Sequence, residues 1–130
     1  MPAARGGSYS GPVTTADDAS DCLFCKIVSG DVPADLVLTT DHVVAFRDID
    51  PVSPTHVLVV PREHYPDAAA LAAADPEAVG RLVAAAAGVA GREGLSDYRL
   101  VFNTGAEVGQ SVFHTHLHVL GGRPMGWPPG

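Results

Sequence analysis

Two cysteines are too few to staple a secreted scaffold, because small secreted domains rely on several disulfides to compensate for a small core. Cations are also scarce. Eight Lys and Arg stand against fifteen Asp and Glu, leaving a net charge of −7, and the eight are scattered. Counterion release on a polynucleotide needs clustered bases, so a general nucleic-acid surface is excluded, while a small anionic ligand held by local groups is not. No run of about 18 apolar residues escapes a charge, Pro or Gly, so no membrane span is expected. The opening "MPAARGGSYSGPVTTADDAS" lacks the apolar core of a signal peptide, which points to a cytoplasmic protein.

What is present suits one domain. At 130 residues the chain can bury a single modest core. Residues 1–20 carry almost no large apolar side chains and are expected to form a disordered tail. Residues 21–130 form the expected domain. "CLFCKIVSGDVP" opens it with a short helical turn that Gly30 and Pro33 end. "DLVLTT" and "VVAFRD", separated by the polar "DH" that places His42 in a solvent-exposed turn, suit two antiparallel strands. "DIDPVSPT" reads as a loop, and the unbroken apolar "HVLVVP" as a central strand buried on both faces.

Asp75 as N-cap, Pro76 at the first position and Glu77 at the positive end of the dipole start a long helix. Val79, Leu82, Val83, Ala86, Val89 and Ala90 give it one apolar stripe, and Gly94 or Gly91 stops it. "DYRLVFNTG" alternates as a strand, "AEVGQS" is a loop, and a histidine strand follows. The expected class is α+β: an antiparallel meander of about five strands with one long and one short N-terminal helix.

"VFHTHLHVLGG" puts three of the six histidines into five positions. Alternation on a strand would give His114, His116 and His118 one face, and Thr115, Leu117 and Val119 the other. Gly109 permits close backbone approach to a ligand, and Gln110 and Ser111 supply donors just ahead of the row. A nucleophilic nitrogen, a hydroxyl proton donor and further imidazoles within ten residues suit phosphoryl or nucleotidyl transfer through a phosphohistidine-type intermediate. Asp48 and His56 flank the proline loop; such an Asp either accepts from vicinal hydroxyls or simply makes a turn. Asn103 is similarly a ligand-loop residue or a turn former. "CLFC" has the spacing of a zinc knuckle, a redox pair or two ordinary thiols, and His64 and His114 are the best available partners for a Cys₂His₂ site.

Together these segments resemble the histidine-triad (HIT) superfamily, whose signature His-φ-His-φ-His-φ-φ reads here from His114 to Leu120 with Thr115 at the first φ. "AFRDIDPVSPTHVLVVPREH", "YRLVFNTG" and the closing "GGRPMGWPPG" extend the likeness, the last pointing to the Hint branch of nucleoside phosphoramidases. The resemblance implies the HIT-like fold and a homodimer. It implies that His116 attacks phosphorus, that His118 and His56 hold phosphate oxygens, and that Ser111 bonds the leaving nitrogen. Asp48 would accept ribose hydroxyls, Ile49 pack on a purine base, and Asn103, Gly109 and Gln110 form the phosphate loop. Trp127 would approach the partner's site. Zinc-containing relatives imply a structural zinc on Cys22, Cys25, His64 and His114, with no metal required for catalysis. Alternatives are a dinucleoside polyphosphate hydrolase, a nucleotidylyltransferase, or a non-catalytic nucleotide-binding protein.

Overall fold

The computed structural model describes residues 19–130, so most of the expected tail lies outside the described residues; Ala19–Asp21 form a single 3₁₀ turn. Five strands make one antiparallel sheet: β1 (Leu36–Thr39), β2 (Val43–Arg47), β3 (Thr55–Pro61), β4 (Tyr98–Phe102) and β5 (Leu117–Gly121). Their spatial order is β1-β2-β3-β5-β4. The first three strands meander as expected, but β5 then enters between β3 and β4. Two helices fill the β3–β4 connection, α2 (Ala68–Ala74) and α3 (Pro76–Arg92), and carry the chain past the position β5 takes.

Local chemistry accounts for the helix ends. In α1 (Leu23–Ser29) the Cys22 sulfur caps the first turn by accepting from Cys25 N–H, and Gly30 at φ 88° closes the helix in the left-handed region. Asp75 caps α3 through Ala78 N–H with Pro76 directly inside, as its residues dictate. Of the expected stripe, Leu82, Ala86, Val89 and Ala90 are buried together with Ala78, whereas Val83 is 42% exposed. The short α2 was not foreseen. Asp67 caps it at Ala70 N–H, and only Leu71 of its seven residues is buried, too little apolar periodicity to register.

The strand period sorts the core into two. Val43, Ala45, Val57, Val59, Leu117 and Val119 pack with Leu71 and the buried side of α3. Val44, Phe46, Leu58 and Val60 pack on the other face with Cys22, Phe24 and Ile27 around α1. His56 shares the second face with Leu58 because they are two apart on β3, and His118 joins them because it pairs directly with Leu58. Arg47 ties this sheet to the end of α3 through two 2.9 Å bonds to the Glu93 carboxylate.

Candidate functional site

The histidine row is not one regular strand. β5 begins only at Leu117, and the preceding residues bond instead to the segment that leaves β3. Thr115 N–H and Oγ1 both donate to Tyr65 O, at 2.8 and 3.0 Å, and His114 Nε2 donates to Pro61 O at 2.9 Å. The buried Thr115 hydroxyl thus has a backbone partner, which accounts for a polar side chain at that position. His114 therefore lies ahead of the regular strand but on the α1 side, where Phe24 meets both His114 and His116, while Leu117 and Val119 line the opposite core, so the expected alternation of faces holds.

His114 meets Cys22, Cys25 and His64. Its Nε2 carries the proton given to Pro61, so the Nδ1 lone pair faces the cluster. Nδ1 lies 3.3 Å from His64 Nδ1 and 3.4 and 3.5 Å from the Cys22 and Cys25 sulfurs, and Cys25 Sγ lies 3.4 Å from His64 Nδ1. A tetrahedral zinc site, with bonds of about 2.3 Å to sulfur and 2.0–2.1 Å to nitrogen, has edges of about 3.3 Å for N···N and about 3.5 Å for N···S. The four side chains therefore fit a zinc-sized ion. Burial and the neighbouring Cys22 push the Cys25 thiol up to about 12, and burial pushes His114 down to about 4, so both groups are neutral near pH 7 until a cation draws the proton from Cys25.

On the sheet side of Phe24 stand His116, His56 and His118. Burial, partly opposed by the His114 carbonyl, depresses the pKa of His116. Burial and the neighbouring imidazoles hold His118 well below the ordinary value, and burial lowers His56 against the pull of Asp48 and Asp50. Neutral rings carry one proton each, and their partners say where. His116 Nδ1 donates to His114 O at 2.7 Å, which leaves the Nε2 lone pair free. Val52 N–H donates to His56 Nδ1 at 3.1 Å, so the His56 proton sits on Nε2, 2.9 Å from His118 Nδ1. His118 Nδ1 must accept, and its proton is therefore on Nε2. That buried atom has no hydrogen-bond partner among the described residues. A nucleophilic nitrogen and an unsatisfied donor sit side by side on rings 5.0 Å apart. Asp48 Oδ2 lies 3.3 Å from His56 Nε2, fully buried and without a hydrogen bond of its own.

The HIT domain model matches residues 29–125. The chain belongs to the HIT domain family. It is 47% identical over 113 residues to an uncharacterized HIT-like protein of Synechocystis, covering 86% of this chain and 99% of that one. It is 43% identical to the purine nucleoside phosphoramidase of Escherichia coli over 110 residues, 83% of this chain and 92% of the relative. A HIT family hydrolase from Legionella pneumophila superposes with a TM-score of 0.81 at 46% identity, covering 85% of this chain and all (100%) of that one.

The remaining expected residues fall around the HIT histidines to different degrees. Ser111 is buried directly before the row. Asp48 directly follows β2, with Ile49 beside it 72% exposed, and Asn103 follows β4. Gly109 takes φ 104°, a conformation that favours glycine. Trp127 is 83% exposed, just beyond the residues that the HIT domain model matches. Gln110 requires a correction. Its side-chain Oε1 accepts from Gly105 N–H at 2.8 Å, its Nε2 donates to Pro66 O at 2.6 Å and Val112 O at 3.2 Å, and its own N–H donates to Gly105 O. Burial commits all of these groups to the protein, so Gln110 braces the loop and offers no donor to a ligand. Phe24 was overlooked as a site residue. It stacks edge-on against His116 at 5.0 Å and stands 6.1 Å from His114, and the only signal was an aromatic inside "CLFC".

Proposed function

We propose that the protein hydrolyses the P–N bond of purine nucleoside 5′-phosphoramidates through a nucleotidyl-histidine intermediate on His116. The observation that carries this reading is the pairing of a free His116 Nε2 lone pair with an orphaned His118 Nε2–H. In the first step His116 Nε2 forms a bond to phosphorus as the P–N bond breaks, and the departing amine takes its proton through the Ser111 hydroxyl. In the second step water attacks phosphorus, the P–N bond to His116 breaks, and water's proton leaves by way of the same hydroxyl, so that over the two steps one proton is delivered to the amine and one is released from water. The products are a nucleoside monophosphate and an amine. A donor fixed where charge builds on the phosphoryl oxygens favours the transition state over the ground state, which is the role assigned to His118, with His56 behind it.

Asp48 accepts the ribose hydroxyls, Ile49 covers the purine, and Asn103 and Gly109 border the phosphates. Cys22, Cys25, His64 and His114 hold a structural zinc, which supplies a crosslink between α1 and the residues before β5 and takes no part in the bond-breaking steps. The protein acts as a cytoplasmic homodimer in which Trp127 reaches the partner's site; the exposed Val83 on α3 and the 83% exposure of Trp127 support that arrangement. The 43% identity to a purine nucleoside phosphoramidase supports the choice of substrate over dinucleoside polyphosphates.

The test is release of AMP from adenosine 5′-phosphoramidate by the purified protein, beside diadenosine polyphosphates and the variants His116→Ala and Ser111→Ala. Turnover lost in His116→Ala while AMP still binds supports the reading. Preferential cleavage of the polyphosphates moves the chain to the hydrolase alternative, and AMP binding without turnover of either moves it to a binding protein.

A further inference from the structure

The relay that orients His118 begins outside the histidine cluster, at the backbone N–H of Val52. Val52 stands in the loop between β2 and β3, where its side chain is 53% exposed and two prolines supply no donors. Val52's own side chain therefore does not anchor the loop, although the buried Ser53 beside it donates to Thr55 O at 2.6 Å. Two contacts from the C-terminal tail press on the loop instead. Gly122, at φ 93°, lies so close that a Cβ there would meet Pro54 Cβ at 2.8 Å. Next to it, Arg123 donates to Val52 O from Nη2 at 3.1 Å and from Nε at 3.4 Å. Beyond these contacts a groove of about 580 Å³ runs between the tail and β4, and Arg99 crosses to Gly126 O at 2.9 Å.

We propose that Arg123 is a positioning residue for the phosphoryl site, acting through Val52, His56 and His118. Holding the Val52 carbonyl keeps the same residue's N–H on His56 Nδ1. If that N–H swings away, only the Asp48 carboxylate, 3.3 Å from Nε2, still favours a proton there, and the Nδ1–H form of His56 becomes accessible. His56 then carries the proton on Nδ1 and accepts at Nε2, His118 donates to it from Nδ1, and His118 Nε2 becomes a lone pair. The 2.9 Å bond between the rings survives with its direction reversed. The atom facing the phosphoryl oxygens changes from donor to acceptor, two rings away from the lost contact. A guanidinium suits the task because its planar fork can place two N–H groups on one carbonyl oxygen.

This inference deepens the proposed function but is tested without relying on turnover. The full chain, carrying ¹⁵N-labelled histidine, is compared with Arg123→Ala, Arg123→Lys and Arg62→Ala. Arg62 donates to Thr40 O at 2.8 Å, a bond of the same kind remote from the relay, and serves as the control. Long-range ¹H–¹⁵N spectra report the tautomer of each ring. Expected are Nε2–H forms of both His56 and His118 in the parent and the control, and Nδ1–H forms appearing together in both rings of Arg123→Ala. Arg123→Lys, which keeps one donor, falls between them. AMP then binds Arg123→Ala about tenfold more weakly, the loss of one charge-assisted hydrogen bond. Unchanged tautomers in folded Arg123→Ala or Arg123→Lys overturn the proposal, as does a tautomer change of equal size in Arg62→Ala. Were the parent inactive on phosphoramidates, the substrate reading would fall while the tautomer spectra still decided the role of Arg123.

Discussion

Replacing Phe24 with Ala separates packing from catalysis on the α1 face of the sheet. The ring is fully buried, meets Phe46 edge-on at 5.3 Å and His116 at 5.0 Å, and lies between the two cysteines of "CLFC". Deleting a buried Phe side chain costs about 3–5 kcal/mol, of which each edge-to-face contact supplies roughly 0.5–1.5. Leu71→Ala is the matched comparison. It empties a fully buried position in the opposite core, at a cost of about 2–5 kcal/mol, and touches none of the histidines. Urea unfolding gives both losses, provided the slope of free energy against denaturant is unchanged. Turnover of the phosphoramidate is then compared at a temperature where both variants are folded. Phe24→Ala loses roughly 10–100-fold in kcat, because an imidazole that has lost its wall no longer points Nε2 at phosphorus, and Leu71→Ala keeps the parent's kcat. Equal losses of kcat in the two would refute the idea that Phe24 orients His116. A stability loss below about 1 kcal/mol for Phe24→Ala would refute the packing argument itself.

Cobalt added to the metal-stripped protein is expected to bind at one ion per chain with thiolate charge-transfer absorption, and Cys22→Ser/Cys25→Ser removes that band; retention of the band would exclude the Cys₂His₂ set. Zinc loading of the metal-stripped protein is expected to raise Tm by roughly 5–10 °C, and an unchanged melting curve would show that the cluster does not support the fold. His56 and His118 have depressed pKa values in the folded protein, so below about 6.5 the unfolded chain binds more protons and stability falls as pH drops toward their folded values, by up to about 1.4 kcal/mol per pH unit for each ring. A stability profile from urea melts that stays flat between pH 6.5 and 5 would contradict their burial as neutral rings. Gln110→Glu places a carboxylate oxygen against Pro66 O and Val112 O, and a loss of roughly 2–4 kcal/mol is expected in the same assay; a neutral effect would mean the amide does not brace the loop.

Much of this arrangement was legible in the chain. Strand alternation, the Asp75-Pro76-Glu77 start of α3 and the Cys22/Cys25 spacing each express a local rule, and the folded chain obeys them. What escaped was non-local. The position of β5 between β3 and β4 depends on where two helices carry the chain, which no strand pattern encodes. Val83 satisfies the helical period yet points outward, because a stripe of six apolar residues is wider than the contact α3 makes with the sheet. Gln110 reads as a polar residue beside a ligand loop. Its amide is instead consumed by carbonyls and an N–H from segments up to 44 residues away.

The three histidines of the signature are chemically identical in sequence, and the structure differentiates each by the partner of its second nitrogen. A backbone carbonyl at Nε2 of His114 turns Nδ1 into a metal-directed lone pair. The carbonyl of that same residue, placed at Nδ1 of His116, leaves Nε2 with the lone pair that the proposed reaction needs. A neighbouring imidazole at Nδ1 of His118 turns Nε2 into a donor. Each assignment needs a partner distant in sequence: Pro61 for the first, and Val52 by way of His56 for the third. The middle ring is the exception, since its partner is two residues away. Its orientation therefore follows from wherever His114 is held, so the segment leaving β3 and the cysteine cluster fix the tautomer of His116 without touching its ring. A change at Cys22, Cys25 or His64 should accordingly reach the chemistry through the His114 carbonyl, slowing attack on phosphorus before it weakens nucleotide binding.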